Sequence, residues 1–230
     1  GMAIMLISGF VLFGPTGRDD VYKTLWPALT FAESGQILNY NGEALEQSSS
    51  LLHVVLLGSI SRLTGINLPD LNFFLILGCG LVAVLLSLRL ARRLGVSDLF
   101  TLGILAGAQP VFTYWAFGGL DGVLAAVAWL VFADGLQKFL DQKRPWMVIL
   151  GTLMVILVRP EGCFLLLAAL TGAVIYSVFP AKEKLNQGDV NRSETKSLFV
   201  VSILGALVTA VMVGWRIWHS GHWLTHTAIA

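Results

Sequence analysis

Charge is what this sequence has least of. Only 13% of its 230 residues are Asp, Glu, Lys or Arg, against 56% hydrophobic. Soluble domains carry about 25% charged residues, and half that density cannot clothe a folded surface in polar groups. Much of the surface must then face lipid, which predicts a polytopic membrane protein. The net charge of +1 leaves no basic footprint, so nucleic acid is excluded as a partner. Cysteine is nearly absent. Cys79 and Cys163 sit inside apolar runs, too few and too isolated for a disulfide framework or a metal site, and read as small core residues. No internal repeat is evident.

What is there is a series of apolar stretches bounded by charge. Met2–Gly14 has no basic n-region and no cleavage site, and reads as an anchor. As a helix it would reach about 20 Å of a hydrocarbon core about 30 Å thick. Six further candidates are Leu71–Leu88, Phe100–Phe117, Val123–Phe139, Trp146–Val158, Cys163–Phe179 and Ser197–Trp218. Ser50–Leu63 contains His53, Ser59, Ser61 and Arg62, and is too short and polar for a span; it is expected as a half-helix in the outer leaflet. The expected fold is therefore all-α: a single transmembrane bundle over 1–230 with about seven spans. Residues 15–69 form its long first external loop, with amphipathic or half-helices, and residues 181–196 a cytoplasmic loop.

Basic residues set the orientation. With the N-terminus inside, segments 89–98, 134–144 and 181–196 face the cytoplasm and hold three, three and four Lys or Arg, ten of the fifteen in the chain. The same layout puts His53, His219, His222, His226, Asp19, Asp20, Glu46, Asp121 and Glu161 on the outer side. Polar groups able to do chemistry thus gather on one face. Gly103 and Gly107 form a small-xxx-small pair suited to a close helix contact, and Trp215, Trp218 and Trp223 form an interfacial belt.

Each candidate has a plain reading beside the chemical one. Asp20 could cap a helix running through Val21, Leu25 and Ala28, kinked at Pro27, with Arg18 as partner. Alternatively Asp19 and Asp20 supply a general base and an orienting or cation-holding carboxylate, since neighbouring carboxylates raise one pKa. Arg159 is either a bidentate phosphate ligand or an ion-pair partner for Asp121 or Glu161. Arg216 either contacts phosphate or snorkels to the headgroups. His219, His222 and His226 are spaced for one helix face, although Gly221 interrupts it. Acceptor or phosphate contact suits His222 and His226 better than a metal.

The stretch 19–57, DDVYKTLWPALTFAESGQILNYNGEALEQSSSLLHVVLL, resembles the first external loop of bacterial membrane glycosyltransferases of the GT-C architecture. These include the terminal arabinofuranosyltransferases of cell-wall assembly and, more distantly, the protein O-mannosyltransferases. The matching residues are Asp19, Asp20 and Tyr22; Gly35, Ile37, Leu38, Asn39, Tyr40, Gly42 and Glu43; and Glu46 ahead of Ser48–Ser50. Gly119-Leu120-Asp121, Arg159-Pro160-Glu161-Gly162 and the segment from Trp215-Arg216 to His226-Thr227 follow in the family's order. Trp26-Pro27 stands where the family has an Arg, and Thr225 and His226 stand where Pro and Asn are usual. Relatives are commonly about twice as long, so the chain looks like an N-terminal portion or a shortened member.

The resemblance implies transfer of a sugar from a polyprenyl-phosphate donor to a glycan, lipid or protein acceptor outside the bacterial inner membrane. Asp19 would be the base, supported by Asp20 and Glu46. Tyr22, Asp121, Arg159, Glu161, Arg216, His222 and His226 would bind substrate or phosphate. The resemblance fixes no cofactor, and a divalent cation is compatible. Two rival classes are a transporter or flippase with Asp121, Arg159 and Glu161 as an ion relay, and an inactive structural homologue.

Overall fold

The computed structural model describes residues 21–44, 48, 50–107, 121–142, 146–159, 162, 164, 166–168, 171–172, 175 and 192–220. Among them every regular element is helical. Seven helices are bounded among the described residues: α1 (Tyr22–Ser34), α2 (Leu51–Thr64), α3 (Leu68–Arg93), α4 (Asp98–Gly107), α5 (Gly122–Gln142), α6 (Trp146–Val158) and α7 (Arg192–Ser220). The all-α expectation holds. Among the described residues, two helices are long and apolar enough to cross a membrane, α3 and the segment Gly122–Phe139 of α5. Only 28% of the apolar window of α3 is buried, with Phe74, Leu81, Val82 and Leu85 exposed. A helix at the centre of a water-soluble core would hide those side chains. At 14 and 13 residues, α2 and α6 are shorter than a span requires.

Local signals explain several boundaries. Ser50 caps α2 by accepting from the His53 N–H at 3.3 Å. Asn67 caps α3, accepting from the Asp70 N–H at 2.9 Å and donating to the Asp70 carboxylate at 2.6 Å. Gly35 and Gly65 end α1 and α2 in the left-handed region, at φ 76° and 71°, where a side chain would be strained. The cap position of α1 is Val21, already in helical conformation and without a side-chain cap, and Asp20, expected there, lies outside the described residues. Helix α1 continues through Pro27, whose ring nitrogen has no hydrogen to give to the helical ladder. Helices α3 and α5 run on to Arg93 and Gln142, so the expected loops at 89–98 and 134–144 begin as helix. Helix α7 likewise starts at Arg192, inside the polar stretch 181–196.

Two core clusters hold these elements. The first joins α1, α2 and α3 through Val21, Leu25, Ala28, Val54, Leu57, Leu68 and Leu71. A Cβ on Gly58 would sit 2.7 Å from the Ala28 carbonyl oxygen, which shows how closely α2 crosses α1. The second joins α5 and α6 through Leu124, Ala128, Phe132, Phe139, Val148, Val155, Ile156 and Val158, with Cys79 of α3 and Val208 and Met212 of α7 packed against it. Helices α5 and α6 are an antiparallel hairpin held at glycine distance. A Cβ on Gly135 would meet the Met147 backbone at 2.7 Å, and one on Gly151 would overlap the Phe132 backbone. No described atom lies within 4 Å of a Cβ placed on Gly103, so the expected small-xxx-small contact is not seen among the described residues. The Trp belt keeps Trp218 at 81% exposure, and Trp223 lies outside the described residues.

Candidate functional site

The hairpin puts the start of α5 beside the end of α6. Asp121 immediately precedes α5 and its carbonyl accepts from the Ala125 N–H at 2.9 Å, the first bond of the helix. Arg159 immediately follows α6, its N–H donating to the Val155 carbonyl at 2.9 Å. A carboxylate at a helix N-terminus and a cation at a C-terminus both complement the backbone dipoles. Arg159 Nη2 donates to Asp121 Oδ1 at 2.9 Å, closing the hairpin mouth across 38 residues of sequence. Asp121 is buried, while the Arg159 side chain keeps 31% of its surface exposed. Of the two readings of Arg159, the ion pair is present and its partner is Asp121.

A line of uncharged polar groups leads to the same place. Thr24 of α1 and buried Ser48 share a hydroxyl hydrogen bond at 3.0 Å. Ser48 Oγ accepts from the Ser50 N–H at 3.2 Å, and Ser50 caps the turn that carries His53. The imidazole of His53 is fully buried, with Nε2 at 2.7 Å from Asn72 Oδ1 in the first turns of α3. Because Oδ1 can only accept, Nε2 carries the hydrogen. Burial pushes the His53 pKa down, opposed by the Asn72 hydrogen bond and by the charge of nearby Asp121. His53, Asn72, Asp121 and Arg159 therefore stand together at one end of α3 and α5.

The opposite end is built differently. Asp134, one turn before Lys138 on α5, is 2% exposed. It lies 2.9 Å from Arg93 Nη1, 2.8 Å from Lys138 Nζ and 3.6 Å from Arg89 Nε. These are ion-pair distances, but none is aligned as a hydrogen bond. Lys138 also contacts Met147 Sδ of α6 at 2.9 Å. Along the α5 axis the two charged ends are ~20 Å apart. Helices α3 and α5 thus begin together at the His53–Asp121 end and finish together at the basic end.

The remaining sequence candidates divide as follows. Tyr22 opens α1 and is half exposed. Arg216 is 2% exposed on α7, one turn beyond Met212 on the face that packs against the α5–α6 core. Asp19, Asp20, Glu46, Glu161, His222 and His226 lie outside the described residues. Several residues that carry the resemblance have local structural jobs. Asn39 Oδ1 accepts from the N–H groups of Asn41 and Glu43 at 2.9 Å each, and its amide donates to Glu43 at 3.0 Å. Gly42 sits in this turn at φ 78°. Trp26 donates to the Asn39 carbonyl at 3.1 Å and lies against the Tyr40 ring at 5.2 Å.

Sequence reasoning missed Asn72 and Asp134. Both are single polar residues inside long apolar helices, a signal that was available. Among the described residues no three His, Cys, Asp or Glu side chains converge as metal ligands. No family model, curated protein or solved structure matches the chain.

Proposed function

We propose that the chain is a multi-pass cell-membrane glycosyltransferase of the GT-C type. It would take a sugar from a polyprenyl-phosphate donor and pass it to an acceptor outside the bacterial inner membrane. The observation that carries this reading is the gathering of buried polar groups at one end of α3 and α5, away from the basic end. With the basic end inside, the Asp121–Arg159 pair and His53–Asn72 face the outer leaflet. Val21, the residue after Asp19-Asp20, packs in the same cluster as Leu71, the neighbour of Asn72. That proximity in sequence supports Asp19 as the base.

The chemistry asked of the site is one displacement. Asp19 removes the proton of the acceptor hydroxyl, supported by Asp20 and Glu46. The oxygen attacks the anomeric carbon, and the bond from that carbon to the phosphate oxygen breaks. The departing polyprenyl phosphate keeps the electron pair, and its charge is met by the exposed part of Arg159 and by Arg216. The test is transfer from a panel of polyprenyl-phosphate sugars by the full-length protein in native membranes. Asp19→Asn is expected to abolish transfer while expression and folding persist. Unchanged transfer would end the proposal.

A further inference from the structure

The basic end offers a second site. We propose that Arg89, Arg93 and Lys138, drawn together by Asp134, bind the phosphodiester headgroup of an anionic glycerophospholipid. The inference rests on reading α3 and α5 as membrane spans. It does not depend on the transferase chemistry at the other end.

Among the described residues three cations surround one carboxylate, a surplus of two positive charges. The cations are not equally committed. Lys138 and Arg93 approach Asp134 to 2.8 Å and 2.9 Å, whereas Arg89 stays at 3.6 Å with half of its side chain exposed. None of the three contacts is aligned as a hydrogen bond, and Lys138 donates instead to Met147 Sδ at 2.9 Å, which leaves half-exposed Arg89 as the leading donor to a headgroup. A phosphodiester brings one negative charge and two strongly accepting oxygens, which matches both the surplus and the guanidinium fork.

The surroundings favour a lipid over free phosphate. Leu81 and Leu85 are 44% and 57% exposed, two turns and one turn before Arg89 on the same helix face. They form an apolar track leading away from the cation, as an acyl chain leads away from its headgroup. Trp146 is 56% exposed and adjoins Met147, whose sulfur touches Lys138. A tryptophan at that level marks a membrane–water boundary. A basic pocket between spanning helices at such a boundary is a recurrent way of holding anionic lipid.

The full chain is purified and placed in phosphatidylcholine nanodiscs with and without phosphatidylglycerol. Thermal unfolding and the lipid retained after re-extraction are then read. Phosphatidylglycerol is expected to raise the midpoint and to be retained in preference. In Arg89→Gln that preference falls about five-fold, and Arg89→Lys restores most of it. Arg89→Gln leaves Asp134 with Arg93 and Lys138, so folding is kept. Inorganic phosphate added to phosphatidylcholine discs is expected to shift nothing. Equal midpoints in the two lipids, an unchanged preference in Arg89→Gln, or a full response to inorganic phosphate would each overturn the proposal. Alkaline carbonate extraction separates the two levels of failure. Release of the chain from membranes overturns the spanning reading and the site together, while retention without lipid preference overturns the site alone.

Discussion

The two ends of the α3–α5 pair solve the same problem, a buried carboxylate, in opposite ways. Asp121 takes one arginine from the neighbouring helix end, and both charges are complemented by helix dipoles. His53 and Asn72, uncharged and hydrogen-bonded, fill the space beside it. Asp134 lies in mid-helix, where no helix terminus helps it, and is offset by three cations. The first end is neutral and directional. The second carries surplus charge and poorly aligned contacts. Among the described residues, a polar cluster with a partly exposed arginine is suited to handling a substrate. An over-compensated carboxylate is suited to clamping helices and facing phosphate.

The largest expected effect lies at the clamp. Asp134→Leu leaves three cations converging on one site, two of them in places only partly open to water. Removing one partner of a buried ionic cluster costs about 3–5 kcal/mol. Arg89 can turn outward, so the lower half of that range is expected from denaturant unfolding in detergent. A loss under about 1 kcal/mol would show the cations satisfied elsewhere, and the contrast between the ends would collapse.

The neutral end should respond in the reverse sense, with stability hardly changed and function strongly affected. Asp121→Asn is expected to cost only about 1 kcal/mol, since Arg159 is partly exposed and can turn to water. If the proposed transfer chemistry holds, Arg159→Gln removes a donor to the developing phosphate charge and lowers sugar transfer about 100-fold. Comparing unfolding midpoints and transfer rates of the two variants with those of Asp134→Leu sharpens the division. If Asp121→Asn destabilises more than Asp134→Leu, the roles of the ends are exchanged.

How much of this was readable beforehand depends on the range of the interaction. Trp146–Val158 is bounded in the structure as the apolar run predicts, because Pro145 and Arg159 punctuate it locally. Leu71–Leu88 underestimated its helix: Pro69 and the Asn67 cap start it earlier, and Arg89–Arg93 continue it as an amphipathic end. Asp121 and Arg159 were each named as candidates. Their pairing was one option of two, since 38 residues separate them and only the hairpin decides. The glycines behaved similarly. Gly35 and Gly42 act through their own backbone and stand out in the sequence, whereas Gly135 and Gly151 matter only through the helix they meet. Asp134 was invisible as a centre because its three partners arrive from two helices and two different turns.

The smallest expected effect bounds the comparison from outside. Arg92 and Asp98 make a well-formed pair near the basic end, Nε lying at 2.9 Å and 3.0 Å from the two carboxylate oxygens and Nη2 at 2.7 Å. The Arg92 hydrogen bonds hold the Asp98 carboxyl below its usual range, against a small opposing effect of desolvation. A depressed carboxyl pKa adds stability above its unfolded value, near 3.9, and that stability is lost as pH falls through the folded value. The pair is fully solvated, however, and exposed ion pairs are screened and entropically costly. Asp98→Asn should therefore leave the unfolding midpoint unchanged at pH 7, with any difference from the parent confined to low salt. Bidentate geometry without burial would then carry almost no stability, while the poorly aligned but buried contacts of Asp134 carry several kcal/mol. A clear loss at neutral pH in Asp98→Asn would mean that geometry outweighs burial at this end. The clamp would then have to be sought in the Arg92–Asp98 pair instead.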